Sequence, residues 1–152
     1  MSIVITVLVV ALTAGLTAGF MLLRQVRGRA QDDLEALVGT DNILLFERSA
    51  SCLGHSDANV DQARGAGALA LCADGIHFMH WIPRGRHLHI PAAAIESAAA
   101  TRAFARQGFA RASARPMLQV DYRTRGRPAR IAWSVNNADA WCEAIGKLVG
   151  AS

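Results

Sequence analysis

AGALALCADGIHFMHWI, residues 66–82, decides the reading of the fold. Two mostly apolar runs, Ala66–Cys72 and Ile76–Ile82, flank Ala73-Asp74-Gly75, a short turn whose Asp-Gly pair tolerates positive φ. The stretch reads as a β-hairpin. On its N-terminal side, Ile43–Cys52 is a strand, joined to the hairpin by the polar loop Leu53–Gly65 with His55, Asp57, Asn59 and Asp61. On its C-terminal side, Pro83-Arg84-Gly85-Arg86 makes a turn and His87–Ile90 a fourth strand. Pro91 introduces one helical turn over Ala92–Ile95, and a strand runs from Glu96 to about Ala103. Met117–Tyr122 and Arg130–Val135 alternate apolar and polar residues across a tight turn at Gly126-Arg127-Pro128.

A helix closes the chain. Asn136 or Asn137 can cap it, Asp139 lies in its first turn, Lys147 in its last, and Gly150 follows. Ala138, Trp141, Ile145 and Leu148 recur at spacings of three and four, which marks one buried stripe. Seven strands followed by one amphipathic helix predict a mainly β domain, a small barrel or sandwich capped by a C-terminal α-helix, rather than alternating βαβ units.

The N-terminus is of another kind. From Ile3 to Leu23 there is no charge and no proline, and twelve of 21 residues are Leu, Ile, Val or Phe. As a helix this stretch reaches roughly 30 Å, the thickness of a bilayer's hydrocarbon core. Its twelve large apolar residues favour insertion by about 4–7 kcal/mol. Its threonines can bond back to the helix's own carbonyls. A cleaved signal peptide has a basic segment before a shorter apolar core, whereas only Met1 and Ser2 precede this run, and Arg24, Arg27 and Arg29 follow it. The expected division is a transmembrane helix with its basic flank over 1–29, a short amphipathic helix or extension of the anchor over 30–42, and the β domain over 43–152. Ala30, Leu34, Leu37 and Val38 share a face of the middle segment, and Gly39 stops it. The three arginines predict that the N-terminus faces out and the domain sits in the cytoplasm.

Ala11, Gly15 and Gly19 recur every four residues, so they lie on one face of the anchor. Small residues at this spacing let helix backbones approach closely in lipid, which suits a homodimer seam or a groove for a membrane-protein partner. Fifteen of the sixteen basic residues are Arg, and eight of them fall between Thr101 and Ile131 against one acid, Asp121. Such a patch suits anionic headgroups or an acidic partner. Phe104, Phe109 and Tyr122 are interleaved with it, but a modest net charge of +4 and the membrane anchor count against nucleic acid. Three cysteines without a pairing motif fit a reducing compartment and core positions.

Gly67-Ala68-Leu69-Ala70-Leu71 with Asp74-Gly75-Ile76, then His89-Ile90-Pro91 leading to Ala94-Ile95-Glu96, resembles the pleckstrin-homology-like superfold, in particular its bacterial and GRAM-type members. The resemblance spans about residues 43–149, and it implies that the helix carrying Trp141 plugs an open barrel end. It also implies basic residues gripping inositol phosphates in the first loop, where this chain has Asp57 and Asp61 with only Arg64. The basic residues lie instead at Arg123, Arg125 and Arg127, spaced by two as on one strand face.

If Ile82 pairs with His87, then His80 pairs with His89, and His80, His87 and His89 share a sheet face on which three imidazoles can converge on Zn²⁺. No fourth ligand lies close in sequence, and an exposed histidine face that titrates near pH 6.5 is the simpler expectation. The chain has no phosphate-cradling glycine loop, nucleophile elbow, zinc-finger spacing or metalloprotease motif. Ser49 and Ser51 near Cys52 and His55 have no context that would activate them. The sequence therefore predicts a non-enzymatic, single-pass protein without cofactor that displays a PH-like domain to assemble with membrane proteins. The alternatives are a module that senses anionic lipid surfaces through its arginines, and a histidine-based metal or pH regulator.

Overall fold

A computed structural model describes residues 2–56, 63–106 and 109–150, so Asp57, Asn59 and Asp61 of the first loop lie outside it, as do the Arg106 and Phe109 side chains. The chain begins with one unbroken helix, α1 (Ser2–Val38). Its apolar part is long and apolar enough to cross a membrane. The described side chains from Val7 to Leu23 are all exposed. Thr13 Oγ1 donates to the Val9 carbonyl at 3.0 Å and Thr17 Oγ1 to those of Thr13 and Ala14 at 2.9 Å, so both hydroxyls are satisfied within the helix. The segment expected over 30–42 is the same helix continued. It ends where Gly39 takes φ +77, its N–H bonding the Glu35 carbonyl at 2.9 Å, while Asn42 Nδ2 caps the Val38 carbonyl at 2.8 Å.

A single 3₁₀ turn, Thr40–Asn42, leads into seven antiparallel strands. They are β1 (Ile43–His55), β2 (Gly65–Cys72), β3 (Gly75–His80), β4 (His87–Pro91), β5 (Ile95–Arg106), β6 (Phe109–Thr124) and β7 (Arg127–Ser134), followed by α2 (Ala138–Gly150). The sheet order is β4-β3-β2-β1-β7-β6-β5, with β1 as the common strand between two groups. The strands β5 and β6 run further than alternation predicts. Their pairing shifts between Thr101↔Met117 and Ala103↔Ala112, leaving the segment with Pro116 bulged out where its missing N–H costs no ladder bond.

The main core lies between the sheet's inner face and α2, with Leu69, Leu71, Phe78, Leu118, Ile131, Trp133, Trp141 and Ile145 at its centre. Asn137 Oδ1 caps α2 by accepting from Ala140 N–H at 3.1 Å. Asn136 instead meets Glu47, whose carboxylate accepts from its backbone N–H at 3.1 Å and its side-chain amide at 2.8 Å. Glu47 is buried, and this pair ties β1 to the start of α2.

A second apolar cluster sits on the opposite face of β2 and β3. Ala68, Ala70, Cys72 and Met79 pack against Ala30 and Leu34 of α1, with Val38, Ile43, Phe46 and Trp81 at the margin. Every residue of β3, and β2 from Gly67 onward, is therefore buried. Leu37, expected on the packed face, stays exposed. The alanines of β2 are small enough for the helix to lie close.

Candidate functional site

Among the described residues, the β2–β3 hairpin gathers the one group of His, Cys and acidic side chains whose ligand atoms lie close enough to hold an ion. Gly75 has φ +142, and a Cβ there would lie 2.1 Å from the Ile90 carbonyl oxygen. Glycine is required so that β4 can close over the turn, where Ala92 N–H bonds the Asp74 carbonyl at 2.8 Å. That contact fixes the register as Gly75↔Pro91, His77↔His89 and Met79↔His87.

This register corrects the histidine expectation. The expected pairing of His80 with His89 is out by three residues, and an odd slip moves a strand's side chains to the other face. His80 points to the core side with Phe78, is 1 % exposed, and places Nδ1 3.0 Å from the Arg86 carbonyl. His77 takes its place beside His87 and His89. Sequence alone missed the true register because Trp81 and Ile82, apolar enough for a strand, belong to the turn.

The three rings stack nearly parallel. Centroids are 4.2 Å apart for His77–His89 and 5.2 Å for His77–His87. His77 is buried; its Nε2 lies 3.0 Å from Asp74 Oδ1 and its Nδ1 3.1 Å from His87 Nε2. Asp74 Oδ2 is 3.7 Å from His89 Nε2. The hydrogen bond from His77, with the positive potential of His77 and His89, holds the Asp74 carboxyl below its ordinary value against a burial penalty. Burial, reinforced by the two neighbouring imidazoles, holds His87 low and so favours its neutral ring. Cys72 joins from β2: its Sγ, an Asp74 oxygen and a His77 nitrogen all lie within 4.8 Å of one another. Burial, then the Asp74 charge, pushes the Cys72 thiol up. The spacing Cys72-x-Asp74-x-x-His77 around an Asp-Gly turn was the available signal.

The other expected residues are scattered. Ala11, Gly15 and Gly19 are exposed on α1, and a Cβ at either glycine would meet nothing within 4 Å. Arg24, Arg27 and Arg29 are exposed, and the Arg27 guanidinium lies 4.7 Å above the Trp81 ring. Arg123, Arg125 and Arg127 do not share a strand face. Arg125 (φ 49) and Gly126 (φ 74) form the β6–β7 turn, and the pairs Arg123↔Pro128 and Thr124↔Arg127 put Arg123 and Arg127 on opposite faces. Arg123 is paired with Glu96, and Arg130 with Asp121. All three cysteines are free; Cys52 and Cys72 are buried and Cys142 partly so.

A second feature lies where β3 ends, beside Val26–Ala30 of α1. The turn Trp81–Arg86 carries Ile82, 73 % exposed, and Arg84, which bonds Asp33 at 3.2 and 3.3 Å. Val26, Arg29, Ala30, Trp81, Ile82 and Arg84 line a small cleft there. This is the end of the sheet nearest the apolar part of α1. No protein-family model matches the chain, and no curated protein matches it.

Proposed function

We propose that the chain is a non-enzymatic, single-pass membrane protein that displays a PH-like domain at the cytoplasmic face and assembles with other membrane proteins. One observation carries this reading: α1 runs without a break from its apolar part into the sheet, where Ala30 and Leu34 are buried. Anchor and domain are thus joined by one continuous helix docked on the sheet, which would set the height and heading of a binding surface above the bilayer. Seven antiparallel strands closed by α2 support the PH-like assignment, and Arg24, Arg27 and Arg29 support the orientation. Extraction of the full chain in a mild detergent should bring a membrane protein with it in fixed ratio. Recovery of the chain alone and monomeric would sink the assembly reading.

The turn Trp81–Arg86 favours a second role in reading the lipid surface. Arg27 is four residues beyond Leu23, so it and Trp81 sit roughly 6 Å past the end of the apolar run, at headgroup depth. An indole, an exposed isoleucine and arginines suit that layer. In nanodiscs, amide exchange over 81–86 should be slower with anionic than with zwitterionic lipid, and the difference should fade in high salt. Equal exchange in both would remove this role.

A further inference from the structure

We propose that Cys72, Asp74, His77 and His89 form a binding site for a divalent transition metal, with Zn²⁺ the best-matched occupant. A thiol, two imidazoles and one carboxylate form a donor set that suits Zn²⁺ and does not suit Mg²⁺ or Ca²⁺, which take oxygen. Three of the donors are already gathered: the Cys72, Asp74 and His77 ligand atoms lie within 4.8 Å of one another. Bonds to Zn²⁺ of about 2.0–2.3 Å put tetrahedral donors roughly 3.3–3.8 Å apart, so His77 and Asp74, at 3.0 Å, would open slightly to admit the ion, and no gap in the set would close by more than about 1.5 Å.

The fourth donor comes from the neighbouring strand. The His77 and His89 rings are parallel to within 14°, and Asp74 offers one oxygen to each Nε2, at 3.0 and 3.7 Å. Both nitrogens therefore face the same carboxylate, and a modest tilt of the two stacked rings toward each other would let a cation share them there. Ligation through His77 Nε2 leaves Nδ1–H to donate to His87 Nε2, 3.1 Å away, the outer partner that a metal-bound imidazole requires.

The backbone that carries the donors is tied on two sides. Cys72 and Gly75 pair across a two-residue turn, and the Ala92 N–H, just past the end of β4, holds the Asp74 carbonyl. A bound ion would clamp β2, the turn and β4 together. Cys72 also belongs to the cluster on which α1 rests, so the ion would bear on the docking of the helix.

The test uses the full chain in detergent micelles, stripped of metal with a chelator, and Co²⁺ as the spectroscopic probe. One equivalent of Co²⁺ should give a thiolate-to-cobalt charge-transfer band, which Zn²⁺ removes by competition. Cys72→Ser should abolish the band while Cys142→Ser retains it, and His89→Ala should weaken Zn²⁺ binding at least ~10-fold. His89 lies on the exposed face of β4, so its loss leaves the core intact. Absence of the band in the unaltered chain overturns the proposal whatever the variants do, as does a band that survives Cys72→Ser.

Discussion

Gly75→Ala is expected to lower stability by at least ~3 kcal/mol and the thermal midpoint by roughly 10 °C or more. Two costs combine. At φ +142 an L side chain is strained by about 1–3 kcal/mol. The new Cβ would also lie 2.1 Å from the Ile90 carbonyl oxygen and 2.8 Å from the Ala92 nitrogen, both backbone atoms that cannot swing aside. Relief requires β4 to move off β3, which breaks the Gly75↔Pro91 pairing and draws the buried Ile90 out of the core. Thermal unfolding of the full chain in detergent, followed by far-ultraviolet circular dichroism, measures the effect. A midpoint within ~2 °C of the parent would mean that β4 is not pinned at this glycine.

Leu34→Ala is the second large effect, and its cost falls on one joint. Leu34 is fully buried between α1 and the outer face of β2 and β3. Removing its branched end leaves a cavity that Ala68 and Ala70 are too short to fill, at a cost of about 2–5 kcal/mol. The inner core around Trp133 and Phe78 does not touch Leu34, so the sheet should stay folded while the helix lets go. Limited proteolysis should then cut between residues 30 and 42 many times faster than in the parent, with the β domain surviving as a fragment. Unchanged cleavage would mean that the helix is not held by this contact.

The parts of the fold legible in the sequence were those set by local pattern. The hairpin followed from two apolar runs around Asp74-Gly75, and α2 followed from its caps and its stripe of Ala138, Trp141 and Ile145. The helical face of Ala30 and Leu34 was legible too, but what covered it was not. The clue was that the Ala-Leu-Ala-Leu run of β2 is apolar on both faces, so it needs a layer on each side. The candidate site was only half legible, because register is a non-local property. His77 and His80 exchange faces when β3 and β4 slip by an odd number of residues, and the contact at Gly75 that decides it appears only with β4 in place. The arginine run failed for a similar reason: the turn falls at Arg125-Gly126, so a spacing of two spans two strands.

The unbroken α1 has a geometric consequence. At about 100° per residue, Ala30, Leu34 and Val38 lie about 60°, 100° and 140° around the helix axis from Gly15. The sheet is thus docked about a quarter-turn from the line of Ala11, Gly15 and Gly19, and that line is left open along its length. Any helix that grips the glycines inherits a set azimuth for the β domain. One residue inserted between Leu23 and Ala30 would swing the domain by about 100° while raising it only about 1.5 Å. The chain therefore encodes a compass bearing as well as an address.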